Sequence, residues 1–171
     1  MRLDGSRWRE FFDGMQRDAF RLETLPVYRV PQEEEAIRRF RAGRPIAEAD
    51  TATWTARLRM FAESGRVVRR VHVLSRPLTE YLEFEFEHYR HNVAAGEDVR
   101  ILDITNRENP GLPDQDFWMF DDERVVLMNY EPDGTQIDRR IHEGDPEPYG
   151  HWKRLALEES VPFLDYVKDH G

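Results

Sequence analysis

Residues 67 to 104 hold a strand, a helix and a second strand in immediate succession, and that unit commits the chain to a sheet with at least one parallel pair. Val67 to Leu74 is rich in β-branched residues, and its second half is apolar on both faces, as in a central strand covered from two sides. Ser75-Arg76-Pro77 ends it. The spacing of Leu78, Leu82, Phe86, Tyr89 and Val93 then predicts a helix running to about Ala95, which Gly96 closes before a strand from Val99 to Ile104. A crossover of this length joins parallel strands with a right-handed connection.

The flanking segments supply the rest of the sheet and its cover. Ser6 to Met15 reads as a short helix burying Trp8, Phe11 and Phe12, and Ala19 to Leu25 as a strand closed by Pro26. Pro31 opens a helix with Glu33 to Glu35 in its first turn, Ile37 and Phe40 inward and Gly43 as its stop. Another helix follows Asp50, with Trp54, Leu58 and Phe61 as its stripe and Gly65 at its end. After a loop from Thr105 to Gln115 the texture changes to a meander of Asp116 to Phe120, Val125 to Tyr130 and Thr135 to Ile141, whose last turn is Glu131-Pro132-Asp133-Gly134. The chain is helical again from Tyr149, and Pro162 is expected to kink or split that helix. With 171 residues and no internal repeat, the whole reads as one α/β domain, a mixed sheet flanked by helices.

Composition excludes several chemistries. Without cysteine there are no disulfides, thiolate zinc sites or cysteine nucleophiles, which fits a reducing compartment, and the cytoplasm is the expected location. No apolar run approaches a membrane span and the charged start is unlike a signal peptide. The net charge of -9 opposes general polyanion binding, although Arg29 to Arg76 carries 11 Arg against 6 Asp or Glu. An ordinary solvated helix surface accounts for that stretch, with Glu34 and Arg38 or Glu35 and Arg39 one turn apart. Direct contact with nucleic acid is therefore not expected. Glycine-rich phosphate loops and the Gly-x-Ser-x-Gly elbow are both missing, and no cofactor is implied.

Seven residues stand out as candidates for binding a ligand. His72 lies near the carboxyl end of the central strand, where open α/β sheets place ligands, although a satisfied, partly buried histidine is the favoured reading. Arg69 and Arg70 must point to opposite faces, so one is expected inside, paired with Asp116, Asp121 or Asp122 across the sheet or open to a phosphate or carboxylate ligand. Trp118 shares a face with Asp116 and Phe120, as core or as the floor of a pocket. Glu85 and His88 share a helix face at the spacing of di-iron carboxylate sites, but no second copy of that motif exists, and the expectation is an exposed polar face with no metal.

The run Val68 to Leu74, the helix from Leu78 with the Ala95-Gly96-Glu97-Asp98-Val99 run that follows it, and the segment Asp116-Phe117-Trp118-Met119-Phe120-Asp121-Asp122 resemble an actinobacterial domain family of unknown function, often encoded beside helix-turn-helix regulators. That resemblance implies a role in a regulatory module. The element order is more distantly similar to a phospholipase D-like half-domain, whose His-x-Lys-x-x-x-x-Asp motif would here place Gln115 and Phe117 on the histidine and lysine. Neither can attack or protonate a phosphate ester, so at most the fold survives. The expectation is a non-catalytic binding or regulatory domain acting through a protein partner, for which a helix-turn-helix regulator is a candidate. The alternative is a phosphate- or carboxylate-binding protein or a phosphodiesterase-like hydrolase with a non-standard site.

Overall fold

A computed structural model describes residues 1–170. Its centre is a seven-stranded mixed sheet built from β1 (Asp18–Glu23), β2 (Val67–Leu74), β3 (Asp98–Asp103), β4 (Asp116–Phe120), β5 (Arg124–Tyr130), β6 (Gln136–Ile141) and β7 (Val161–Pro162), in the order β6-β5-β4-β1-β2-β3-β7. β1, β2 and β3 run parallel, β4 to β6 form an antiparallel meander, and β7 adds two residues against β3.

The helices are α1 (Gly5–Asp13), α2 (Glu34–Arg41) behind a 3₁₀ turn (Pro31–Glu33), α3 (Glu48–Glu63), α4 (Glu80–Ala94), α5 (Glu147–Glu159) and α6 (Phe163–His170). The strand, helix and strand unit stands as expected. Val71 is wholly buried, α4 starts where the Thr79 hydroxyl accepts the Leu82 N–H at 3.1 Å, and Gly96 takes a φ of 110° after its end. Pro162 divides the last helical region into α5 and α6, and the extended residues between them become β7.

Strand alternation sorts the core into two faces. On one, Ala19, Val68, Trp118 and Phe120 pack under α1 and α3, while Leu74, Val99 and Ile101 meet α4 and α6. On the other, Phe20, Leu22, Val71, Val73, Phe117 and Met119 meet α5 through Ala156, Tyr149 and Trp152. The meander does extend the sheet and bury Trp118, but through β1, which stands between β2 and β4. That intervening strand decides which charges can meet.

Candidate functional site

β1 reads Asp-Ala-Phe-Arg-Leu-Glu, and all six residues are buried. Its Arg21 and Glu23 lie on the face covered by α1, α3 and α4, in register with Arg70 and His72 of β2 and beside Trp118 of β4. Charges buried this deeply must be paired. The Arg21 guanidinium donates to Asp116 at 3.0 Å and to the Tyr130 hydroxyl at 2.9 Å. Asp116 also accepts from the Tyr28 hydroxyl and from both the backbone N–H and the hydroxyl of Thr24. Burial pushes the Tyr28 phenol well above its ordinary value, with Glu23 and Asp116 adding to the effect, so it stays a donor.

A second group adjoins the first. Arg70 donates to Glu23 at 2.7 Å and, through its other nitrogens, to Glu97, which also accepts from the Trp54 indole at 3.1 Å. Burial alone would raise the Glu23 carboxyl, but Arg70, then His72 and Arg21, reverse that and hold it at about 2. Nε2 of His72 lies 2.9 Å from the Leu25 carbonyl, which can only accept, so that nitrogen carries a proton; Nδ1 faces the Tyr89 hydroxyl at 2.8 Å. Both guanidiniums flank the Trp118 indole, Arg70 at 5.7 Å and Arg21 at 5.9 Å from the ring centre. The result is a layer of buried ion pairs with an aromatic plate between them.

The seven predicted residues therefore divide. Arg70, His72, Asp116 and Trp118 meet in this layer. The expected pairing of Arg69, Arg70 or His72 with the aspartates of the meander does not occur, because β1 separates β2 from β4 and supplies the partners itself. Arg69 points to the opposite face and pairs with Asp18 and Asp98. Asp122 is held there by Lys153 of α5, which also binds Asp18. Asp121 shapes the backbone. At a φ of 55° it turns back from β4, and its carboxylate accepts the backbone N–H groups of Gln16, Arg17 and Asp18. Burial would raise that carboxyl, and the three N–H donors outweigh it and hold it below the ordinary range. Trp118 is 5% exposed and sits in the core, clustered with Phe12, Trp54 and Phe120.

Glu85 and His88 correct another expectation, since their face of α4 is half-buried and not an open polar surface. Opposite them stands Glu33. Burial, reinforced by the charge of Glu85, pushes the Glu33 carboxyl up to about 7, and burial together with Glu23 does the same to Glu85.

An open cleft of about 370 Å³ lies beyond the carboxyl end of β1, next to the Arg21 and Asp116 pair. Thr24, Asp116, Tyr130 and the Gln115 and Asn129 amides line it, together with the exposed Asp114 and Ile137 and the buried Asp138. Among the described residues that line it there is no Lys or Arg. Sequence reading missed Arg21, Glu23, Glu97 and Tyr89. The first two alternate with apolar residues as a solvated strand face would, and the others lie on α4 and the turn that follows it, whose approach to β1 and β2 only the fold reveals.

The model of a family described as a domain of unknown function (DUF6879) matches residues 6–168, and the chain belongs to that family. No curated protein matches it.

Proposed function

We propose, on the premise of membership in this domain family, that the chain is a non-catalytic binding domain that engages a protein partner, with a basic side chain of that partner seated in the cleft at the carboxyl end of β1. The observation that carries this reading is the lining of the cleft. Asp114 is exposed in that lining, the Gln115 amide oxygen adds an acceptor, no Lys or Arg stands among the described lining residues, although Asp138 is already paired with Arg140 from outside it, and Ile137, 47% exposed, offers an apolar surface. Such a site suits an Arg or Lys side chain. Because Arg69, Arg70 and Lys153 are already paired with carboxylates, a phosphate or carboxylate ligand would have to displace an internal ion pair, and nothing favours that alternative.

The setting in which this reading makes most sense is a regulatory module in the cytoplasm of an actinobacterium. A DNA-binding regulator of the helix-turn-helix type, with the basic surface that DNA binding requires, is the partner we expect, bound by a phospholipase D-like core without its catalytic residues. Co-expression of the tagged chain with the products of neighbouring genes, followed by mass spectrometry, should recover one stoichiometric partner. Asp114→Arg should abolish that capture while leaving the melting temperature unchanged, and capture should weaken as salt rises. Repeated recovery of the chain alone, or undiminished capture by the charge-reversed variant, overturns the reading.

A further inference from the structure

Glu33 ends the 3₁₀ turn ahead of α2, and Glu85 and His88 stand three residues apart on one face of α4. Packing of the turn against α4 brings one ligand atom from each side chain within 4.8 Å of the other two. Their orientations are set from behind. Nδ1 of His88 lies 3.3 Å from the Phe84 carbonyl oxygen, which can only accept, so Nδ1 carries the proton. In the neutral ring the lone pair is then on Nε2, which faces Oε2 of Glu33 at 3.9 Å. The Tyr81 hydroxyl donates to Oε1 of Glu33 at 2.9 Å, which leaves Oε2 as the oxygen turned inward. Oε2 of Glu85 is buried and has no hydrogen-bond partner among the described residues.

We propose that Glu33, Glu85 and His88 form a binding site for a divalent first-row transition-metal ion, with zinc the best match. A salt bridge between His88 and Glu33 alone would account for two of the three groups. It leaves the orphaned Glu85 oxygen unexplained, whereas a cation at the centre satisfies all three. One imidazole nitrogen with two carboxylate oxygens is a mixed donor set that suits zinc and its neighbours, while calcium and magnesium favour oxygen alone. The bonds from Tyr81 to Glu33 and from His88 to Phe84 are the outer contacts that orient metal ligands. Three protein donors leave a coordination position for water, and Glu33 and His88, with side chains 20% and 14% exposed, give an ion a path inward. This site stands on residues separate from the cleft, so it does not depend on the partner reading.

Calorimetric titration of the full chain, first freed of metal by a chelator, tests the proposal with zinc alone and with magnesium alone. The expected result is one zinc equivalent per chain, bound more tightly than magnesium, with a melting temperature that climbs as zinc is added. Glu33→Gln, Glu85→Gln and His88→Gln should each weaken zinc binding at least tenfold, while His151→Gln, on the exposed side of α5, should not. Because Glu85→Gln keeps the shape of the half-buried side chain and Glu33 sits on a turn, circular dichroism of these variants should match the parent. Absence of stoichiometric zinc binding, magnesium binding at least as tightly, or affinity that ignores the three substitutions overturns the proposal.

Discussion

Arg21 and Asp116 have side chains only 5% and 1% exposed, so neither can lose its partner to solvent. Removing one leaves the other as an uncompensated buried charge, a loss on the order of 3 to 5 kcal/mol. Asp116→Ala should therefore lower the stability read from urea denaturation by about that amount. The double variant Arg21→Met with Asp116→Leu should recover much of it, because no charge is then stranded; equal losses in both proteins would show that the pair is not the cause. Glu23 sets a dependence on pH. Its carboxyl is held at about 2 in the folded chain against an ordinary 4.5, so the unfolded chain binds the proton more readily. The stabilisation, about 3 kcal/mol, is fully present above pH 4.5 and is lost as pH falls toward 2. Denaturation between those values should show a steep acid limb that Glu23→Gln flattens, and an unchanged slope would remove Glu23 from the account.

The turn from β5 into β6 shows what an element's sequence says and what it withholds. Glu131-Pro132-Asp133-Gly134 announces the turn, and Gly134 indeed takes a φ of 92° with its N–H donating to Glu131 at 2.9 Å. What the tetrapeptide cannot show is that a Cβ on Gly134 would lie 2.3 Å from the Val27 carbonyl oxygen, because the segment after β1 packs onto the turn. Gly134→Ala should therefore cost about 2 kcal/mol or more, the sum of a disfavoured backbone and a main-chain collision, read as a lower melting temperature. The same division holds elsewhere. β2, α4 and β3 were legible because apolar periodicity and the stops at Pro77 and Gly96 are local facts. Arg21 and Glu23 were not, since alternating charge in β1 looks like a solvated face until α1, α3 and α4 close over it. The pairing of Arg70 with Glu97, and the meeting of Glu33 with Glu85 and His88, are set by how separate elements dock, which no short window of sequence contains.

At the scale of the whole molecule, an open sheet must protect two edges from pairing with other chains. On the β3 side the protection is brevity, because β7 offers only Val161 and Pro162 and the proline has no N–H to donate. On the β6 side it is a strap: Leu3 donates its N–H to Arg139 at 2.8 Å, Ile141 donates to Met1 at 2.9 Å, and Arg2 bridges to Arg140. The strap is held by a single apolar anchor, Leu3, which is 3% exposed within the cluster of Phe12, Met15 and Val126. Leu3→Ala should then act twice. Loss of the anchor should lower stability by about 2 to 3 kcal/mol, the lower part of the range for truncating a buried leucine. Release of the strap should also bare the outward N–H and C=O groups of β6, giving faster amide exchange at Ile141 and a concentration-dependent rise in mass by light scattering. Charged Arg139 and Arg140 on β6 will restrain that association, so it should strengthen as salt screens their repulsion. A destabilised chain that stays monomeric at every salt concentration, with Ile141 exchange unchanged, would mean that Leu3 fills the core without guarding the edge.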